Sequence, residues 1–505
     1  MRKKSKNKII CLGYLFLFIL FSVTVTCYWG LKWYLSTYHV KFAEFIFTIL
    51  SPMKGTGGES VRDGVIYCCP RIAFCIFVFG LAYVFITPNK FSKKLLNLCY
   101  LKKWEKSLYI SSYVILSLLV VGALVKILHS AYFQMGIDQF VKQRREKTLI
   151  YENEYVPPKN QVSLNGKPRN LIHIIMESME SSYASMDVGG CLETNLIPSL
   201  TSMALENESF SKKGSIGGYY PTTHASWTVA SILSQHAGIP FSFPIDGNLM
   251  NERRSFASGV TTLGDILKDY NYNQVFLCGS DADFGGRKSF FEQHGDYKIY
   301  DYNTALASNA IPEGYKVWWG FEDEYLYKIA ESELALLLES DKPFNLTLLT
   351  VDTHHKYGYI CGNCNSNYVD RTSNVIDCAD RQVANFIKWI KAQPFYDNTT
   401  IVITGDHRRM DDALRSEYKN NKRKVYCTII NSPVKPKLIN HERVFSSLDV
   451  FPTIVASLGF TIKDNRLGLG VNLYSEKPTL IEQMGLKQLN AELSKHSDYY
   501  FKNFP

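Results

Sequence analysis

Three short stretches of this 505-residue chain hold side chains that could do chemistry together. One apolar run, Leu171–Met176, ends in Glu177-Ser178, and another, Thr400–Thr404, ends in Gly405-Asp406-His407. A carboxylate from one run and an Asp-His pair from the other would make a cage for a divalent cation. Each has a plainer reading when taken singly. Glu177 would serve as a first-turn acid favoured by a helix dipole, and Asp406-His407 as an Asx-type turn. Both in one α/β domain favour a metal. The third stretch, Gly217–Trp227, is a Gly- and Pro-containing loop that leads into a helix and carries Thr222, Thr223 and Ser226. Its threonines suit N-capping, and equally a helix N-terminus that steadies an anion. A threonine hydroxyl is a poor nucleophile until coordination to a cation activates it. Glu177, Asp406 and His407 would hold that cation.

These residues need a scaffold that brings them to one edge. Leu171–Met176, Gln274–Leu277, Asn345–Val351, Thr400–Thr404 and Val425–Ile430 read as buried strands. Trp227–His236, Thr262–Tyr270, Glu324–Leu338 and Arg381–Ala392 read as helices between them. Strands alternating with helices imply a mainly parallel sheet covered by helices on both faces. Sites in such sheets lie beyond the carboxyl ends of the strands, which is where Glu177 and Asp406-His407 fall.

Several motifs together resemble the phosphoglycerol and phosphoethanolamine transferases of the sulfatase-like, alkaline-phosphatase-related superfamily, which includes lipoteichoic acid synthase. They are Met176-Glu177-Ser178, Thr223-His224-Ala225-Ser226, Ser234-Gln235-His236-Ala237-Gly238-Ile239-Pro240 and Asp246-Gly247-Asn248. Asp352-Thr353-His354-His355, Gly405-Asp406-His407 and Asp449-Val450-Phe451-Pro452-Thr453-Ile454 complete the set, the last standing where the superfamily has its final sheet region. The likeness covers about Asn170–Leu473 and, more weakly, the membrane part with Pro52-Met53-Lys54-Gly55.

The resemblance implies an α/β alkaline-phosphatase-like domain. It implies a threonine nucleophile with serine three residues later, which Thr223 and Ser226 satisfy and Thr222 does not. Metal ligation is carried to Glu177, Thr223, Asp406 and His407, and substrate-phosphate contact to His354, with His355 as its close rival. Arg287 falls where lipoteichoic acid synthase has a substrate-contacting arginine, and a guanidinium suits paired phosphodiester oxygens. A surface pair of Arg287 with Glu292 is the plainer alternative. Gly285 and Gly279-Ser280-Asp281 depart from the synthase nearby, leaving Asp281 and Trp319 as pocket candidates. One divalent ion is implied; oxygen and nitrogen donors without thiolate fit manganese, our choice, or magnesium or zinc. The implied activity moves glycerol phosphate from phosphatidylglycerol to a periplasmic glycan through a covalent threonine. The alternatives are a phosphoethanolamine transferase acting on lipid A or another glycan, and a non-catalytic membrane scaffold. The only near match to the Cys/Ser-x-Pro/Ala-x-Arg motif of true sulfatases, Cys68-Cys69-Pro70-Arg71, has the wrong spacing.

Composition agrees with a membrane enzyme. Hydrophobic residues make up 46% and charged ones 20%, which excludes a disordered chain. The net charge of +9 comes without a nucleic-acid-binding motif, and much of the excess flanks apolar stretches. Ile9–Tyr28, Gly64–Ile86 and Leu108–Leu128 are long enough to span a bilayer, with Arg71 able to snorkel. His39–Pro52 is too short to cross, and Gly55–Gly58 reads as a turn-rich loop. Lysines before the first span and between the second and third place both segments in the cytoplasm. The catalytic part would then be periplasmic, on a multi-pass protein of the bacterial inner membrane. Of the 12 cysteines, Cys191, Cys278, Cys361, Cys364, Cys378 and Cys427 fall on that side. A disulfide is expected among Cys361, Cys364 and Cys378. The division is 1–130 spans, 131–169 linker helix and loop, 170–480 catalytic domain, and 481–505 tail.

Overall fold

The computed structural model describes residues 2–38, 42, 45–46, 58–86, 90–98, 104–242, 256–411 and 413–504. Asp246-Gly247-Asn248, Pro52-Met53-Lys54-Gly55 and most of His39–Pro52 lie outside the described residues. The chain forms two compact units, one of Met1–Phe42 with Gly57–Val141, the other of Ala43–Thr56 with Lys142–Pro505.

The first unit is built on the helices Arg2–Tyr38, Gly58–Ile86 and Glu105–His129. Leu12–Thr37, Arg62–Leu81 and Ser107–Gln134, the last running past His129 through the turn Ser130–Gln134, are long and apolar enough to cross a membrane. Tyr14, Leu17, Phe79, Leu116 and Val120 form a small core. Phe16, Phe74, Phe77 and Leu118 remain exposed, as a lipid-facing surface requires. Arg71 lies 4.1 Å from the Tyr67 ring centroid and donates to the Tyr67 carbonyl at 2.7 Å, so its charge is held along its own helix.

The second unit contains β1 (Val162–Leu164), β2 (Asn170–Met176), β3 (Asn273–Cys278), β4 (Lys298–Tyr300), β5 (Phe344–Leu349), β6 (Thr399–Gly405), β7 (Cys427–Ile430) and β8 (Phe460–Ile462). Six of them form one sheet in the order β4-β3-β5-β2-β6-β7, parallel except for β7, which runs antiparallel to β6. Ile172, Ile174 and Met176 of β2 face Leu200, Leu334, Ile376 and Val383 in one cluster. Leu171 joins Leu263, Phe451 and Ile454, while Ile175 joins Val229, Ile232 and Leu233 on the other face. Burial on both faces is why these strands read as unbroken apolar runs. β1 pairs with β8 in a separate ribbon, so the segment before β2 is tied to the chain near residue 460.

Asp449–Ile454 differs from the sheet region expected of it. It lies inside the helix Ser447–Ser457, opened by a capping box between Ser446 and Asp449. That helix packs on the helix Thr228–Ala237, with Ser447 and Ser234 hydroxyls 2.7 Å apart. The helix expected at Arg381 starts ten residues earlier, at Arg371, where Asp370 accepts from the Ser373 N–H.

Candidate active site

Register sets the site. Met176 pairs with Gly405, so Glu177 and Asp406 leave β2 and β6 side by side. Gly405 is required there, because a Cβ would stand 2.0 Å from the Met179 carbonyl oxygen. Ser178 takes a left-handed φ of 51°, a conformation uncommon for a residue with a side chain. The bend turns its N–H onto Asp406 Oδ1 at 2.7 Å and its hydroxyl onto Glu177 Oε1 at 2.7 Å.

Ligand atoms of Glu177, Asp406 and His407 all lie within 4.8 Å of one another, and all three residues are buried. Asp406 Oδ1 accepts from the N–H groups of Ser178 and His407, whereas buried Oδ2 accepts no hydrogen bond. Burial, and after it the charge of Glu177, raise the Asp406 carboxyl to about 7. His407 Nδ1 lies 2.9 Å from the Arg408 carbonyl oxygen, which places the proton on Nδ1. Nε2 then turns its lone pair to Asp406 Oδ2 at 3.3 Å and Glu177 Oε1 at 3.6 Å. Two carboxylates and an imidazole lone pair facing one another repel until a cation or proton comes between them. The orphaned Oδ2 and this oxygen-nitrogen donor set fit a divalent ion.

Besides Ser178, the hydroxyl brought to this group is that of Thr228. It opens the helix Thr228–Ala237, and its Oγ1 donates to Glu177 Oε2 at 3.4 Å. Behind it, Tyr219 Oη donates to the Gly405 and Asp406 carbonyls at 2.9 and 2.7 Å. Ser231 donates to the Asp406 carbonyl, and Gln235 Nε2 to that of Gly405 at 3.0 Å. These bonds pin the helix to the end of β6. Thr223 is placed differently. Its N–H donates to Asn490 Oδ1 at 2.8 Å, and its hydroxyl accepts from Ser494 at 3.4 Å, both at the helix Leu486–Leu493 or its end. The sequence held the signal for Thr228, since Ser231 follows it by the same three residues that separate Thr223 and Ser226.

His354 and His355 stand after β5, and both have a nitrogen within 4.8 Å of Glu177 and of each other. Their rings stack at 4.3 Å, and His354 meets Trp319 at 4.8 Å. Burial pushes His354 down to about 4 and His355 well below the ordinary imidazole range, so both are neutral near neutrality. Trp319 touches Phe284 at 5.4 Å, and the Arg287 guanidinium lies 5.7 Å from the Phe284 ring centroid. Buried Arg287 donates to the carbonyls of Phe284 and Asp281 at 3.0 and 2.7 Å. Asp281 Oδ1 accepts from the Asp283 N–H at 3.0 Å. Cys361, Cys364 and Cys378 do come together, but as free thiols rather than as the disulfide expected.

The sulfatase family profile matches residues 169–460. Phosphoglycerol transferase I of Salmonella choleraesuis (strain SC-B67) is 30% identical over 313 residues, 61% of this chain and 39% of that protein. Phosphoglycerol transferase I of Escherichia coli O6:K15:H31 (strain 536 / UPEC) is 30% identical over 308 residues, 60% and 38% respectively. The aligned part thus spans less than 40% of the length of either relative. Among solved structures, the integral membrane lipooligosaccharide phosphoethanolamine transferase A of Neisseria meningitidis superposes with a TM-score of 0.50 at 13% identity. That match covers 95% of this chain and 87% of that one, a likeness of fold.

Proposed function

The chain belongs to the sulfatase family, and on that footing we propose that it is a membrane-anchored glycerophosphotransferase with Thr228 as nucleophile. The observation that carries this reading is the contact between Thr228 Oγ1 and Glu177 Oε2, beside a buried carboxylate oxygen of Asp406 that no protein group satisfies. Thr223 is the rival nucleophile.

In the first step Thr228 Oγ1 attacks the phosphorus of a lipid phosphodiester. The bond from phosphorus to the diacylglycerol oxygen breaks, and that oxygen leaves with the proton given up by the hydroxyl. Glu177 Oε2 orients the hydroxyl for this loss. The N–H groups of the first helical turn, which lack intrahelical partners, face charge on the non-bridging oxygens. His354 lines the same pocket with Nδ1 committed to the His355 carbonyl, so the hydrogen bond to these oxygens falls to neutral His355, and Arg287 supports the pocket from the start of the helix Arg287–Gln293. In the second step an acceptor hydroxyl attacks the phosphorus of glycerophospho-threonine, and Thr228 Oγ1 leaves and regains a proton. A divalent ion held by Glu177, Asp406 and His407, which we take as manganese, would lower the hydroxyl pKa and neutralise phosphate charge.

The name of the 30%-identical relatives supports glycerol phosphate as the group transferred. We take phosphatidylglycerol as donor, a periplasmic glycan as acceptor, and a cytoplasmic N-terminus as the orientation that unites them. Incubating the full chain with headgroup-labelled phosphatidylglycerol and, separately, phosphatidylethanolamine tests the donor. Label captured from phosphatidylglycerol is expected; capture from phosphatidylethanolamine alone refutes the headgroup assignment.

A further inference from the structure

Cys361, Cys364 and Cys378 form a second cluster of metal-binding side chains, outside the Glu177–Asp406–His407 group. Cys361 Sγ lies 3.7 Å from Cys364 Sγ and 3.7 Å from Cys378 Sγ. All three sulfurs fall within 4.8 Å of one another. A tetrahedral ion with metal–sulfur bonds of about 2.3 Å sets its sulfurs about 3.8 Å apart. The odd number of thiols points the same way, since any one disulfide would strand a third sulfur beside it.

The surroundings suit thiolates. Gln382 is on the helix Arg371–Lys391, four residues after Cys378, and its Nε2 donates to Cys378 Sγ at 3.4 Å and Cys361 Sγ at 3.7 Å. Arg381, paired with Asp377 at 3.2 Å, donates from Nη2 to the Asn363 carbonyl at 3.1 Å and ties the Cys361–Cys364 turn to this helix. The backbone N–H groups of Asn363 and Cys364 turn onto the Cys361 sulfur. Amides turned onto a sulfur are the outer partners that a thiolate centre needs.

We propose that Cys361, Cys364 and Cys378 bind a zinc ion, with the fourth position of the tetrahedron left to water. The three thiolates select a soft, thiophilic ion, whereas the carboxylate-imidazole group selects a harder one, so the two sites take different metals. The zinc would clip a loop to a helix. Cys361 and Cys364 end the segment that begins at Asp352 and carries His354 and His355. The Gly358 N–H donates to the His354 carbonyl at 3.1 Å, and the Tyr359 N–H to that of Asp352 at 2.7 Å. Cys378 belongs to the helix behind it. The ion would therefore act as a positioning device for His354 and His355.

Purified full-length protein in detergent, reduced and given cobalt(II) alone, tests this. A thiolate-to-cobalt charge-transfer band in the near ultraviolet is expected for the parent and for Glu177→Gln, and its loss is expected in Cys364→Ser and Cys378→Ser. Elemental analysis of zinc-grown protein should find one zinc retained in the parent and Glu177→Gln and lost in the cysteine variants. Should those variants misfold, the parent's own spectrum still decides. Absence of the band in the reduced parent overturns the proposal. So does a disulfide among the three cysteines, found by mass spectrometry after alkylation without reductant.

Discussion

Replacing His236 by phenylalanine should remove a defined part of the protein's sensitivity to acid. His236 lies on the helix that Thr228 opens, and neither of its ring nitrogens makes a hydrogen bond. Its ring stacks on His173 at 5.3 Å and meets Phe291 edge-on at 5.5 Å. Burial lowers its pKa from 6.5 to about 3. Because the folded value lies below the unfolded one, the neutral ring's contribution is complete above about pH 6.5 and is lost as pH falls toward about 3. At about pH 5 the loss is about 1.5 pH units at 1.36 kcal/mol each, or roughly 2 kcal/mol. An apolar ring leaves nothing to protonate, so near neutrality the variant should match the parent or exceed it. Urea unfolding of the full chain in detergent at about pH 7.5 and about pH 5 measures the difference; the parent should lose roughly 2 kcal/mol more than His236→Phe on acidification. His236→Leu serves as the smaller-volume control. Equal losses in parent and both variants would refute the reasoning, as would destabilisation of both at neutral pH, which would mean that the ring nitrogens hold a bond.

Thr228→Ala should lower lipid-dependent transfer by about 10³-fold or more, whereas Thr223→Ala, which removes one long hydrogen bond at a partly exposed site, should stay within about 5-fold. Released diacylglycerol measures both. Chelation should abolish transfer and lower the melting temperature, and adding back manganese at about 100 times its Kd should restore about 2.7 kcal/mol. Asp406→Asn and His407→Ala should show little of that gain in calorimetry. Gln235→Leu removes the amide that bonds Gly405, Tyr219 and Ser231, and should cost about 2–4 kcal/mol in urea unfolding. Arg287→Ala should raise the KM for lipid more than it lowers kcat, and Arg287→Lys should not restore it, because the fork that reaches two carbonyls cannot be rebuilt from an ammonium.

The central strands were legible because each is buried on both faces and so reads as a continuous apolar run, as Leu171–Met176 does. The cage residues were legible for the same reason: strand ends in a parallel sheet gather at one edge, and Glu177 and Asp406-His407 follow two such runs. β4 is only Lys298-Ile299-Tyr300, too short for a period to register. Asp449–Ile454 contains three β-branched residues and an aromatic, which favour a strand locally; the capping box at Ser446 and packing against the helix Thr228–Ala237 made it helical. The apolar pattern starts that latter helix one residue early, at Trp227. This put Thr228 inside the helix and Thr223 at its mouth. The spacing rule fits both threonines, and only contact with Glu177 separates them. The sequence did not reveal what Tyr219, Ser231 and Gln235 do, because their role is to bond backbone carbonyls of a strand distant in sequence.

The most direct test of the account is mass spectrometry of the peptide spanning the loop and helix start after brief exposure of the purified chain to labelled phosphatidylglycerol without acceptor. The account predicts a glycerophosphoryl group on Thr228, absent from Thr228→Ala. The same group on Thr223, surviving in Thr228→Ala, would contradict it.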